Sequence, residues 1–135
     1  MISLTLPLPP SLNSYWRSTA TNAGCLTRSV RTTRTHSPIK VYISQKGQAF
    51  RTEVIAAVLQ ARANKKLTGR LQVDLIIHPA DRRVQDIDNR IKATLDALTH
   101  AGVYVDDSQI DRLIVCRGEI IKGGKCQVLI TGLQG

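Results

Sequence analysis

The chain has 135 residues, 42% of them hydrophobic and 21% charged, with a net charge of +9. That length sets one globular domain as the expectation, long enough to bury a core without disulfide or metal staples. Three cysteines, Cys25, Cys116 and Cys126, form no CxxC and no even framework, which argues against an oxidised secreted scaffold. The first twelve residues hold three prolines and no basic start, unlike a signal peptide. No apolar run approaches a membrane span. The expected compartment is therefore the cytoplasm. The distribution of charge says more than its size. No Asp or Glu precedes Glu53, while Arg17, Arg28, Arg31, Arg34, Lys40, Lys46 and Arg51 all lie before it. A polyanion is the natural partner, because each phosphate contacted releases condensed counterions. A merely soluble basic surface is the competing reading.

Ile2, Leu4 and Leu6 alternate with polar residues as a half-buried strand does, and Pro7, Pro9 and Pro10 end it. Ser11 to Pro38 is rich in Ser, Thr, Arg and Asn and lacks periodicity, so it is expected to be a long basic loop. Tyr15 and Trp16 beside Arg17 have the chemistry to stack on exposed bases, set against burial of Trp16 in the core. Val41 to Ile43 reads as a short strand. Ser44 is a candidate N-cap for a helix reaching about Asn64, with Phe50, Val54, Val58 and Ala61 on its buried face.

Leu71, Val73, Leu75 and Ile77 alternate most clearly of all, predicting a strand closed by His78, Pro79 and Ala80. A second helix is expected from about Ile87 to Ala101, with Ile87, Ile91, Leu95 and Leu98 inward and Gly102 as its stop. Val103 to Val105 reads as a short strand and Asp106 to Ser108 as a turn. Asp111 to Ile121 and Cys126 to Thr131 read as a hairpin about Gly123-Gly124, a pair suited to positive φ. The order of elements is that of an α+β fold, a small single domain with a mixed or antiparallel sheet packed with two helices.

The segment Asp81-Arg82-Arg83-Val84-Gln85-Asp86-Ile87-Asp88-Asn89-Arg90 carries the chemistry. Acids before a helix commonly serve as caps and favour its dipole. Here, however, Asp86 and Asp88 sit among Arg82, Arg83, Arg90 and Lys92. That mixture suits a site holding both a cation and a phosphate. Asp88 and Lys92 are one turn apart on one helix face. Asp107 follows an apolar stretch that could return a third carboxylate beside them. Three aspartates without a His–Cys ligand set match Mg²⁺ or Mn²⁺ better than zinc. His36, His78 and His100 show no metal-ligand spacing.

Taken in order, Leu6-Pro7-Leu8-Pro9-Pro10-Ser11-Leu12-Asn13, Ile43-Ser44, Gly47 to Arg51, Asp81-Arg82-Arg83, Asp86-Ile87-Asp88-Asn89, Lys92, Asp96-Ala97-Leu98-Thr99, Ala101-Gly102 and Asp106-Asp107 are specific as a set. The chain resembles the RusA family of Holliday junction resolvases over nearly its whole length. The resemblance implies one RusA-like endonuclease domain over 1–135, with the basic loop at about 11–39. It implies an intertwined homodimer that uses Mg²⁺ to nick opposing strands of a four-way DNA junction in recombination and repair. It carries catalytic roles onto Asp86, Asp88, Asp107 and Lys92, the three acids as metal ligands. Arg17, Arg28, Arg31, Arg34, Lys46, Arg51, Arg82, Arg83 and Arg90 are the expected DNA contacts. The stretch from about Thr19 to Ile39 is longer than the family pattern, so no family role is carried into it. An extra grip on a junction arm is the expectation there. The alternatives are a non-catalytic basic DNA- or RNA-binding module, a junction-binding protein without cleavage, and a metal nuclease of broader range.

Overall fold

The computed structural model describes residues 1–20 and 39–133. β1 (Ile2–Leu6), β4 (Leu71–His78), β5 (Ile110–Arg117) and β6 (Lys125–Gly132) form one sheet in the order β1-β6-β4-β5. β6 runs antiparallel to both β1 and β4, while β5 lies parallel to β4, so the sheet is mixed. A second, two-stranded antiparallel sheet joins β2 (Trp16–Ala20) to β3 (Ile39–Ile43). The α-helices are a single turn, α1 (Leu12–Tyr15), then α2 (Gln45–Gln60) and α3 (Ile91–Ala101). The α+β class follows as expected.

The alternation of β4 dictates the layering. Leu71, Val73, Leu75 and Ile77 are buried, as are Leu4 and Leu6 of β1 and Val128 and Ile130 of β6. They share one core with Phe50, Val54 and Val58 of α2 and Ala93, Ala97 and Leu98 of α3. Both long helices thus cover one face of the sheet. Ser44 caps α2 as expected, its Oγ accepting from Gly47 N at 3.1 Å and donating to Ser14 O. Gly47 sits buried in the first turn of α2. A Cβ at that position would stand 2.8 Å from Tyr15 O, so glycine lets α1 approach the start of α2.

Several expectations are corrected. Residues 12–20 of the expected basic loop form α1 and β2, because the short extended stretch Trp16–Ala20 finds a full antiparallel register with β3. Residues 21–38, with Cys25, Arg28, Arg31 and Arg34, lie outside the described residues. α2 stops at Gln60 and leaves Ala61 exposed. Arg62 adopts a left-handed φ of 55°, Arg62 N donates to Leu59 O and Ala63 N to Val58 O, which closes the helix end. The second helix begins as a 3₁₀ turn, Ile87–Arg90, and its buried face is Ala93, Thr94, Ala97 and Leu98. Ile91 and Leu95 are only partly buried. Small side chains mark the closest helix approach, and a pattern weighted to large aliphatics overlooks them. Gly102 does end α3 in a left-handed conformation, with φ 85°. Val103 to Val105 makes only an isolated bridge between Leu67 and Tyr104.

The expected hairpin is also absent. The glycine turn is real, with φ 84° at Gly123 and 73° at Gly124. Yet Gly118 N bonds Ile77 O and Ile121 N bonds Pro79 O, so the connection crosses the end of β4 and delivers β6 to its far side. β5 lacks β4's alternation and buries little, which suits a sheet edge. Cys116 and Cys126 therefore flank β4 on opposite sides, and both are free thiols. Burial pushes the Cys126 thiol up to about 12.

Three helices are tied by one polar cluster. Arg51 of α2 pairs with Asp96 of α3, and the Tyr15 hydroxyl donates to the same carboxylate oxygen. Arg51 Nε donates back to Tyr15 Oη at 2.8 Å. Burial alone would raise the Asp96 pKa, but hydrogen bonds from Tyr15 and Arg51 outweigh it and hold the carboxyl below its ordinary value. A carboxyl depressed in the folded state stabilises above its unfolded pKa, and that contribution fades as pH falls through the folded value. With side chains 21% and 24% exposed, loss of the pair through Asp96→Ala is expected to cost about 2 kcal/mol. Urea melts of wild type and Asp96→Asn should differ at neutral pH, and the gap should begin to narrow only below about pH 4, as pH falls toward the lowered Asp96 value.

Candidate active site

The chain leaves β4 at His78 and turns at Asp81, whose carboxylate accepts from Arg83 N at 2.9 Å and pairs with the Arg83 guanidinium at 2.8 Å. It then reaches Asp86, which heads the 3₁₀ turn in an extended conformation. The Asp86 side chain makes no capping hydrogen bond. Capping, the ordinary reason for an acid at this place, is not what occupies it. Asp88 is exposed in the first turn, four residues before Lys92.

The segment before Asp86 is held from two sides. Arg90 donates to Pro9 O and, at 2.8 Å, to Gln85 Oε1, while Arg117 of β5 donates to Gln85 O at 2.5 Å. Burial lowers the Arg90 pKa, although a guanidinium stays charged.

The third acid arrives by a reversal. Gly102 turns the chain, and Tyr104 is buried with its hydroxyl donating to Leu95 O at 2.9 Å. Residues 103–107 thus run back along α3. Lys92 Nζ then stands 3.7 Å from Asp107 Oδ2. No strand makes this return, and it brings Asp107 to Lys92. Asp106 and Asp107 differ in employment. Asp106 is spent on a capping box, accepting from Ser108 N at 3.1 Å while Gln109 Oε1 accepts from Asp106 N at 2.9 Å. Its carboxyl is lowered by these bonds to Ser108. Asp107 carries no such duty.

Lys92 and Asp107 are thus brought together near the start of α3, and Asp86 and Asp88 lie in the 3₁₀ segment that leads into it. Among the described residues no three His, Cys, Asp or Glu side chains stand close enough together to hold a metal ion. Asp86, Asp88 and Asp107 would offer carboxylate oxygens only, the donor type that suits a hard cation keeping much of its water shell.

The expected DNA contacts divide. Lys46 and Arg82 are exposed. Arg83 is tied to Asp81, Arg51 to Asp96 and Tyr15, and Arg90 to Pro9 and Gln85. Arg17 lies on β2 opposite Tyr42. Arg28, Arg31 and Arg34 fall outside the described residues. Tyr15 is fully buried, which removes it as a base-stacking platform. Two supporting residues went unread in the sequence, Arg117 and Gln109. Nothing local marks Arg117, but Asp106-x-x-Gln109 has the spacing of a capping box.

A family model described as endodeoxyribonuclease RusA matches residues 7–131. The chain belongs to the RusA family. A crossover junction endodeoxyribonuclease from Enterobacteria phage HK97 is 36% identical over 96% of this chain and 92% of its own length. The RusA proteins of Shigella sonnei (strain Ss046) and Escherichia coli (strain K12) are 34% and 33% identical over the same shares. The RusA match spans all the site residues described above. No helix among the described residues is long and apolar enough to cross a membrane.

The division of the arginines predicts contrasting variants. Arg90→Ala leaves Pro9 O and the Gln85 amide without their donor and is expected to lose about 1–2 kcal/mol in a urea melt. Arg82→Ala should leave the melt unchanged and instead flatten the salt dependence of DNA binding by roughly one ion.

Proposed function

We propose that the protein is a structure-selective endodeoxyribonuclease that resolves four-way DNA junctions by metal-assisted phosphodiester hydrolysis, working as a homodimer in the cytoplasm of a bacterial host. The observation that carries this reading is the approach of Lys92 to Asp107 at the start of α3, in a chain of the RusA family. The printed activity of the relatives supplies the substrate class, crossover junction DNA.

In this reading Asp86, Asp88 and Asp107 hold Mg²⁺, with Mn²⁺ as a substitute. Such an ion, when bound, lowers the pKa of a water and offsets charge on the scissile phosphate. Lys92 supplies a cation next to the acids, where it meets a phosphate oxygen and stabilises the charge that develops during attack. Arg82, Lys46 and Arg17 provide phosphate contacts, and the basic stretch of residues 21–38 grips a junction arm. Arg90 and Arg117 act on Gln85 and so orient the approach to Asp86. Two such sites in a dimer account for paired nicks in a single encounter.

The test is a gel assay on a synthetic four-way junction and a matched linear duplex, with Mg²⁺ or EDTA. Symmetric nicking of the junction alone, dependent on Mg²⁺ and reduced at least about 100-fold in Asp88→Asn, is the expected result. Junction binding by Asp88→Asn should persist, because a negative charge facing DNA has been removed. Asp106→Ser should cleave close to wild type, since serine caps as well as aspartate, whereas Asp107→Ser should not cleave. Binding without cleavage by wild type would move the assignment to a binding module. Equal cutting of both DNAs would move it to a general nuclease.

A further inference from the structure

The turn that carries Asp107 is braced far more heavily than a cap requires. A capping-box Gln ordinarily returns one bond to the N-cap N–H. The Gln109 carboxamide does that and three things more. Its Oε1 accepts from Val105 N and from Asp106 N, both at 2.9 Å. Its Nε2 donates to Leu67 O at 2.9 Å and Gly69 O at 2.8 Å. Both donors and both acceptors of the amide are used. The orientation is unambiguous, because only nitrogen can serve the two carbonyls and only oxygen the two N–H groups. The 67–69 segment is itself fastened to the chain after α3, through Lys66 N to Gly102 O and Leu67 N to Val103 O, at 2.8 and 2.9 Å. Arg70 adds a bond to Ser108 O at 2.9 Å. Asp107 lies between these anchors, its carboxylate left to Lys92.

The geometry points to Gln109 as a positioning residue that fixes where the Asp107 carboxylate stands, and hence how tightly the site holds its cation. This rests on the reading of Asp107 as a metal ligand. Side chains that orient a ligand without touching the metal typically set affinity by 10–100-fold. A residue serving only the fold would change melting without changing cation affinity in the folded protein.

The experiment is a Mn²⁺ titration of the full chain followed by electron paramagnetic resonance, without DNA, on wild type, Gln109→Ala, Gln109→Met, Asp107→Asn and the Asp107→Asn/Gln109→Ala double variant. Methionine keeps the length of the side chain and guards against collapse of the alanine variant. Circular dichroism establishes that each is folded. The expected result is Mn²⁺ binding weakened about tenfold by either Gln109 change, with no further loss on adding Gln109→Ala to Asp107→Asn. Weakening by Asp107→Asn, with Gln109 variants binding like wild type or adding independently to it, overturns the role of Gln109 and leaves Asp107 as a ligand. Unchanged binding in Asp107→Asn overturns the ligand reading itself, and the inference with it. Loss of fold in both Gln109 variants also overturns it, since Gln109 then belongs to the fold.

Discussion

The contact among Tyr15, Arg51 and Asp96 sets the position of α3, and the site is built on α3. The apolar core beneath cannot do this alone. Hydrophobic burial is non-directional, and the face α3 offers includes Ala93 and Ala97, whose short side chains would tolerate sliding. A guanidinium and a phenol converging on one carboxylate oxygen do not tolerate it. The Arg51 guanidinium also sits 5.9 Å from the Tyr15 ring centre, which adds a cation–π contact. Burial pushes the Tyr15 phenol up, and its hydrogen bond to Asp96 adds to that, so it remains a donor at neutral pH. The pieces of sequence that carry the family resemblance thereby acquire a physical reason. Gly47 to Arg51 and Asp96 to Thr99 are far apart in the chain and meet at this cluster.

From that fixed helix the site is assembled by backbone reversals. Asp88 lies in the 3₁₀ turn leading into α3 and Lys92 one turn later. Asp107 comes back to them only because Gly102 allows a left-handed turn and Tyr104 is anchored on Leu95. Irregular segments can carry such groups because they are bound at both ends. On one arm the bonds come from Arg90 and Arg117, on the other from Gln109 and Arg70. The sequence pair Asp106-Asp107 then resolves into two roles. One carboxylate satisfies backbone donors that would otherwise be orphaned, and the other faces Lys92.

How much of this was legible in the sequence depends on how far each signal reaches. Local signals read well. Ser44 as a cap, the β4 alternation and the stop at Gly102 each depend on a few adjacent residues. Long-range pairing read poorly. Gly123-Gly124 is a turn with the predicted backbone, yet a turn does not say which strand lies beside which. Only the burial of β4 on the inner face and the exposure of β5 place β4 between β5 and β6. The α3 face was misread because alanine and threonine carry little weight in a hydrophobic pattern but decide where helices approach. Asp86, Asp88 and Asp107 stand out in the sequence through their register with a family that the chain does belong to. The free state of Asp86 was not legible, because capping and ligation want the same residue type in the same place.

The division of the basic residues follows from the same economy of partners. A guanidinium offers five donors in a rigid fork, so arginine is the side chain best able to lock loops lacking regular structure. Arg51, Arg70, Arg83, Arg90 and Arg117 are all engaged in this way. Arg51, Arg70 and Arg83 are paired with carboxylates, but Arg90 and Arg117 bond only neutral acceptors, so their charge stays uncompensated beside the segment that precedes Asp86. That matters for an enzyme whose acids would otherwise repel a phosphodiester. In the proposed function, such fixed positive charge need not move toward the DNA to attract it. Structural bracing and substrate attraction would then be served together by Arg90 and Arg117.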